Sequence, residues 1–125
     1  VAGGAKGNVE RPADKQNFTL MLAALRTALE ERGRADGGRT YLLTIAAPAG
    51  GQIKNLEMDK LPRYVDWFNL MTYDFAGPWS VRTDFNSPLF ADPEAPQKQL
   101  GAADSVAAYR AANVPPDKIV LGVPF

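Results

Sequence analysis

Three short apolar runs rich in β-favouring residues, at 41–47, 67–73 and 119–123, alternate with three helical stretches. Helix, strand, helix, strand, helix, strand in that order is the signature of parallel α/β structure. Asp14 is placed to N-cap a first helix with Phe18, Met21, Leu22, Leu25 and Leu29 on one face; Gly33 and the Gly37-Gly38 pair stop it. Asp59 is placed to cap a short second helix, with Pro62 in its first turn and Leu61, Tyr64 and Val65 inward. The third helix, 102–112, turns Val106 and Tyr109 inward and ends at Asn113 before Pro115-Pro116. A parallel sheet wants cover on both faces, and three strands close no core of their own. The chain has 125 residues, roughly half of the ~250 of a typical (β/α)8 barrel, so it reads as a slice of a larger domain. Val1 is not a natural start residue, as expected of a processed chain or one cut from something longer.

The middle run carries the chemistry. Along Trp67-Phe68-Asn69-Leu70-Met71-Thr72-Tyr73-Asp74, one face would hold Trp67, Asn69, Met71 and Tyr73, and the other Phe68, Leu70, Thr72 and Asp74. The run ends in a phenol and a carboxylate, and in α/β barrels chemistry sits where strands end. Asp66 and Asp74 bracket it about 26 Å apart at ~3.3 Å per residue, too far to share one substrate bond. Asp74 is therefore the candidate, and Asp66 reads as a solvated boundary residue. Residues 77–96 form a long proline-containing loop, more often functional than accidental.

Absences narrow the chemistry further. There is no histidine and no cysteine, which removes Ser-His, Cys-His, thiolate and zinc-cysteine schemes from this chain. Ser80, Ser87 and Ser105 lie in no G-x-S-x-G elbow. Gly3-Gly4-x-x-Gly7 lacks the ending of a phosphate loop. The formal net charge is zero, so nothing attracts nucleic acid or an anionic membrane. Apolar runs are too short to span a bilayer, and no signal peptide begins at Val1. Carboxylates, tyrosines and tryptophans remain, a palette suited to carbohydrate.

Met71-Thr72-Tyr73-Asp74-Phe75-x-Gly77 resembles the sixth-strand motif of the family 18 glycoside hydrolases, the chitinases and chitinase-like proteins. Leu43-Thr44-x-Ala46-x-Pro48 resembles that family's fifth strand, and Lys118-Ile119-Val120-Leu121-Gly122-Val123-Pro124-Phe125 its seventh. Val1-Ala2-Gly3-Gly4 is similar to the loop after its fourth strand. The resemblance implies an α/β fold, part of a (β/α)8 TIM barrel covering about strands five to seven, with 1–125 a partial catalytic domain. The family's D-x-x-D-x-D-x-E signature would lie immediately before Val1 and is absent here, so this chain alone is expected to hydrolyse nothing.

The resemblance also implies a mechanism. In this family a glutamic acid protonates the leaving oxygen and the substrate's own acetamido oxygen attacks the anomeric carbon. Tyr73 matches the residue whose hydroxyl holds that acetamido oxygen, and Asp74 the carboxylate supporting the distorted sugar. Met71 matches an apolar wall beside the acetamide; Phe75 and Trp79 are placed for sugar contact. The implied substrate is chitin or a chitooligosaccharide and the implied location extracellular, for a monomer with no metal or cofactor and no nucleic-acid or membrane partner. Each residue also has a plainer reading: Tyr73 as a core tyrosine, Asp74 as a turn residue, Met71 as barrel filling, Trp79 as a loop pin. A chitinase-like lectin that has lost the acid, and an unrelated open α/β domain, remain the alternatives.

Overall fold

Alternation in the middle run builds the centre of the sheet. In the computed structural model, which describes residues 7–94 and 100–125, Trp67–Met71 is β2, flanked by β1 (Thr44–Pro48) and β3 (Ile119–Leu121). Both pairings are parallel; Ala46 and Val120 flank Asn69 in register, so all three strands end on one side. The opening Val1-Ala2-Gly3-Gly4 motif and the far end of the long loop lie outside the described residues.

Phe68, Leu70 and Thr72 are buried on one face of β2. Phe68 and Leu70 join a core containing Leu22 of α1 (Asp14–Ala35), Ala47 of β1, and Tyr109 of α2 (Ala102–Ala111). The rings of Phe68 and Tyr109 meet edge to face, centroids 5.6 Å apart, and each buried apolar side chain of this size contributes about 1.5–3 kcal/mol. On the other face Trp67 and Asn69 are half-buried and Met71 is 37% exposed.

Three local expectations are corrected. Asp14 is the first residue of α1, not its cap: Ala13 holds the N-cap position and the Asp14 carboxylate turns back to accept the Arg11 N–H at 2.9 Å. The buried face of α1 runs through Thr19, Leu22 and Gly33, with Phe18 packed beside it. At about 100° per residue that rotates Met21 and Leu25 outward, and both are exposed. Between β1 and β2 no α-helix forms: two 3-10 segments, Gly50–Asn55 and Leu61–Arg63, carry the chain across. Pro62 offers no N–H to extend a helix, yet Leu61 and Val65 are buried as their spacing demands.

Asp66 is a fourth correction. It is a tether, not a solvated boundary. Its Oδ2 accepts the Leu43 N–H and a terminal guanidinium N–H of Arg26, each at 2.6 Å. Arg26 also donates to the Tyr64 and Tyr41 carbonyls, at 2.9 and 3.2 Å. These side-chain partners satisfy backbone groups of 41–43 that no strand pairs, and ladder pairing of β1 begins at Thr44, later than expected. Lys118 donates to the Pro62 and Val65 carbonyls, each at 2.7 Å, tying the start of β3 to the entry of β2.

Candidate active site

Beyond Met71 the backbone is held by hydrogen bonds from both sides. The buried Thr72 hydroxyl donates to the Gly122 carbonyl at 2.6 Å, and the Gly122 N–H donates to the Leu70 carbonyl at 2.9 Å. From the other side the Ser87 hydroxyl donates to the Thr72 carbonyl at 2.6 Å. Tyr73 follows, half-buried, its ring lying along Gly122: a Cβ there would sit 2.4 Å from Leu70 O and 3.1 Å from the ring's Cε1. The absence of a side chain at Gly122 is what lets the phenol lie against the end of β3.

Asp74 then breaks the alternation. Its φ of 58° is in the left-handed region, where aspartate is among the few side chains tolerated. This turns its carboxylate out of the buried set of Phe68, Leu70 and Thr72 into solvent at the strand's C-terminal end. The Asn86 side-chain amide donates to Asp74 Oδ1 at 3.1 Å and to the Ala76 carbonyl at 2.9 Å.

A cavity of about 540 Å³ opens beside this turn, between the loop after β1 and the loop after β2. Asp74, Phe75 and Trp79 all line it, facing Gly50 and Gly51 across the gap. Trp79 is 66% exposed, yet its indole lies over Gly77, where a Cβ would come within 2.5 Å of the ring. The Gly77–Ser80 turn closes beneath it through Ser80 N–H to Gly77 O at 2.8 Å. Trp79 is thus pinned on one side and open on the other, the arrangement a sugar-stacking platform requires.

Of the five residues singled out from sequence, three line this cavity. Met71 and Tyr73 do not; they continue the opposite face of β2, with Trp67 and Asn69. The Trp67 indole N–H donates to Asn69 Oδ1 at 3.1 Å, and the Asn69 amide donates to the Ile45 carbonyl at 3.2 Å, so Asn69 serves the sheet. Sequence reasoning missed Asn86, Ser87 and Gly122. The signal for the first two was an Asn-Ser pair ahead of Pro88, a turn-former combination whose partners, ten to fifteen residues away, only the fold discloses.

The cavity at the C-terminal ends of parallel strands, with a carboxylate and a tryptophan at its rim, sets the comparison with known proteins. The family model described as glycosyl hydrolases family 18 matches residues 3–125. Chitinase A1 of Niallia circulans is 46% identical over 132 residues, covering 100% of this chain and 19% of that protein. Among solved structures, Chitinase ChiA74 from Bacillus thuringiensis superposes with a TM-score of 0.86 at 41% identity, over 99% of this chain and 20% of that one. YKL-39, solved in the presence of chitooligosaccharides, gives a TM-score of 0.81 at 26% identity, over 89% of this chain and 32% of that one. The chain therefore spans about a fifth of the length of the chitinases it matches at highest identity among these. Motif order, parallel sheet and family match agree: this chain belongs to family 18 of the glycosyl hydrolases.

Proposed function

We propose that this chain is the segment around strands five to seven of a (β/α)8 catalytic domain, in a protein that hydrolyses β-1,4-linked N-acetylglucosamine polymers. The observation that carries this is Asp74, held in left-handed backbone at the end of β2 and lining a cleft shared with Trp79. The relatives reported above at more than 40% identity are named chitinases, which favours an enzyme over a lectin. The general acid is a glutamate outside this chain, on a neighbouring strand. The extracellular location of chitin supports secretion of the whole protein.

In the intact barrel the substrate site would join the Met71 and Tyr73 face of β2, which lies outside the cleft, to the Asp74 rim, and there each residue has a definite task. The Tyr73 hydroxyl donates to the substrate's acetamido oxygen and holds it beneath the anomeric carbon, where near-attack geometry raises effective molarity. As that oxygen bonds to the anomeric carbon and the aglycon leaves with the acid's proton, positive charge spreads over the oxazolinium ring. The Asp74 carboxylate hydrogen-bonds the distorted sugar and balances that charge. Met71 supplies an apolar wall, and Phe75 and Trp79 contact sugar faces further along the cleft. Water then opens the oxazolinium with retention.

The test is Tyr73→Phe in the full protein, assayed on a soluble chitooligosaccharide. Loss of one donor that acts mainly in the transition state should lower kcat about 10²-fold with a smaller change in KM. Unchanged turnover would remove Tyr73 from the mechanism.

A further inference from the structure

We propose that Asn86 is a positioning residue for Asp74, a role resting on the assignment of Asp74 to the reaction. Asn86 grips three consecutive residues of the turn. Its Nδ2 spends its two N–H groups on Asp74 Oδ1 (3.1 Å) and the Ala76 carbonyl (2.9 Å). Its main-chain carbonyl accepts the Phe75 N–H at 2.9 Å, and its Oδ1 stands 3.5 Å from the Asp74 N–H. The neighbouring Ser87 hydroxyl fixes the Thr72 carbonyl at 2.6 Å, so residues 86 and 87 form a strap along 72–76.

The chemistry of the grip requires an amide. Asp74 at φ 58° is in a conformation the backbone does not favour, and such positions persist only where surrounding contacts over-determine them. An aspartate at 86 would have no N–H for either acceptor, and a glutamine would carry its amide one methylene too far. Anchoring also divides the carboxylate. Oδ1 is taken by Asn86, while among the described residues no donor reaches Oδ2. Asp74 thus presents one fixed oxygen and one open oxygen, the geometry a carboxylate needs to meet a substrate N–H or hydroxyl at a single angle. Asn86 itself does not line the cleft, so it acts through Asp74.

The experiment compares Asn86→Ala, Asn86→Asp, Asp74→Asn and the Asp74→Asn/Asn86→Ala double variant in the full protein, on a chromogenic chitooligosaccharide. Asn86→Ala keeps the main-chain bond to Phe75, so a residue serving only the loop would leave kcat near wild type. Positioning predicts a kcat about tenfold or more lower with KM within about threefold, and no further loss when added to Asp74→Asn. Asn86→Asp preserves size, removes both donors and sets a second negative charge beside Asp74; it should lose at least as much kcat as Asn86→Ala, and unchanged kcat in it overturns the role even if the alanine variant does not fold. Wild-type kcat in either folded variant, alongside a crippled Asp74→Asn, overturns this inference and leaves the functional reading standing. Losses that simply multiply in the double variant also overturn it. A fully active Asp74→Asn overturns the functional reading itself, and this inference with it.

Discussion

Replacing Asp66 by alanine should destabilise the protein by about 3 kcal/mol without touching the cleft. The figure follows from two contacts on one oxygen, Leu43 N–H and the Arg26 guanidinium, both at 2.6 Å. Hydrogen bonds to a charged group contribute about 1.5–3 kcal/mol each. The Asp66 and Arg26 side chains are 31% and 16% exposed, so water screens the pair and the lower bound applies to both. Arg26 keeps its two carbonyl partners, which limits the cost of the charge left behind. Asp66→Asn, retaining one acceptor oxygen but no charge, should cost about half as much. Burial pushes the Asp66 carboxyl up, but the Leu43 amide and the Arg26 guanidinium outweigh it and hold the carboxyl below its ordinary value. A lowered folded value means stability that is present above the unfolded pKa of about 3.9 and lost as pH falls through the folded value. The gap between wild type and Asp66→Asn should therefore be full at neutral pH and close in acid. Urea unfolding of the full protein at a series of pH values, followed by intrinsic fluorescence including that of adjacent Trp67, measures both quantities. An Asp66→Ala variant within about 0.5 kcal/mol of wild type at neutral pH, or a gap unchanged down to about pH 2, would refute the reasoning.

Two further substitutions probe the join between core and site. Gly122→Ala puts a Cβ 2.4 Å from Leu70 O and 3.1 Å from the Tyr73 ring; it should cost about 1–3 kcal/mol by overpacking and lower turnover as the phenol is displaced. Wild-type melting and wild-type kcat together would contradict the packing described. Tyr109→Phe removes a buried hydroxyl that donates to the Pro48 carbonyl at 2.8 Å, beside the Ala49–Gly51 wall of the cleft. Burial holds this phenol far above its ordinary pKa, so it never ionises in use; its loss should cost about 1–3 kcal/mol, seen as a lower urea midpoint with the pH profile of activity unmoved.

The order of the three strands and of the first and third helices was legible because the apolar runs are separated by strong punctuation, whereas the expected second helix is two 3-10 segments. Gly37-Gly38 and Pro115-Pro116 bound the first and third helices wherever the rest of the chain goes. Alternation in 67–72 was legible for the same kind of reason: a period of two assigns Phe68, Leu70 and Thr72 to one face, and all three are buried. The α1 face was misread because leucine and methionine recur all round it. Nothing in their spacing says that the buried stripe runs through Thr19, Leu22 and Gly33, with the half-buried Arg26 reaching from beside it to Asp66.

At the candidate site, residue type and position marked Asp74 and Trp79, which line the cleft, and Tyr73, which does not, since a phenol, a carboxylate and a tryptophan after an apolar run are chemical information carried by the chain itself. What holds them is not. The partners of the 72–76 turn are Asn86, Ser87 and Gly122, between ten and fifty residues away. Asp66 looked like a solvated end because a lone carboxylate beside a strand has no visible partner; its cation lies forty residues upstream. Local propensity and period are properties of adjacent residues, so the sequence determined the elements and the chemical palette. Hydrogen bonds and packing between distant segments exist only once the chain has closed on itself. Tertiary structure therefore decided which carboxylate stabilises the fold and which faces the cleft.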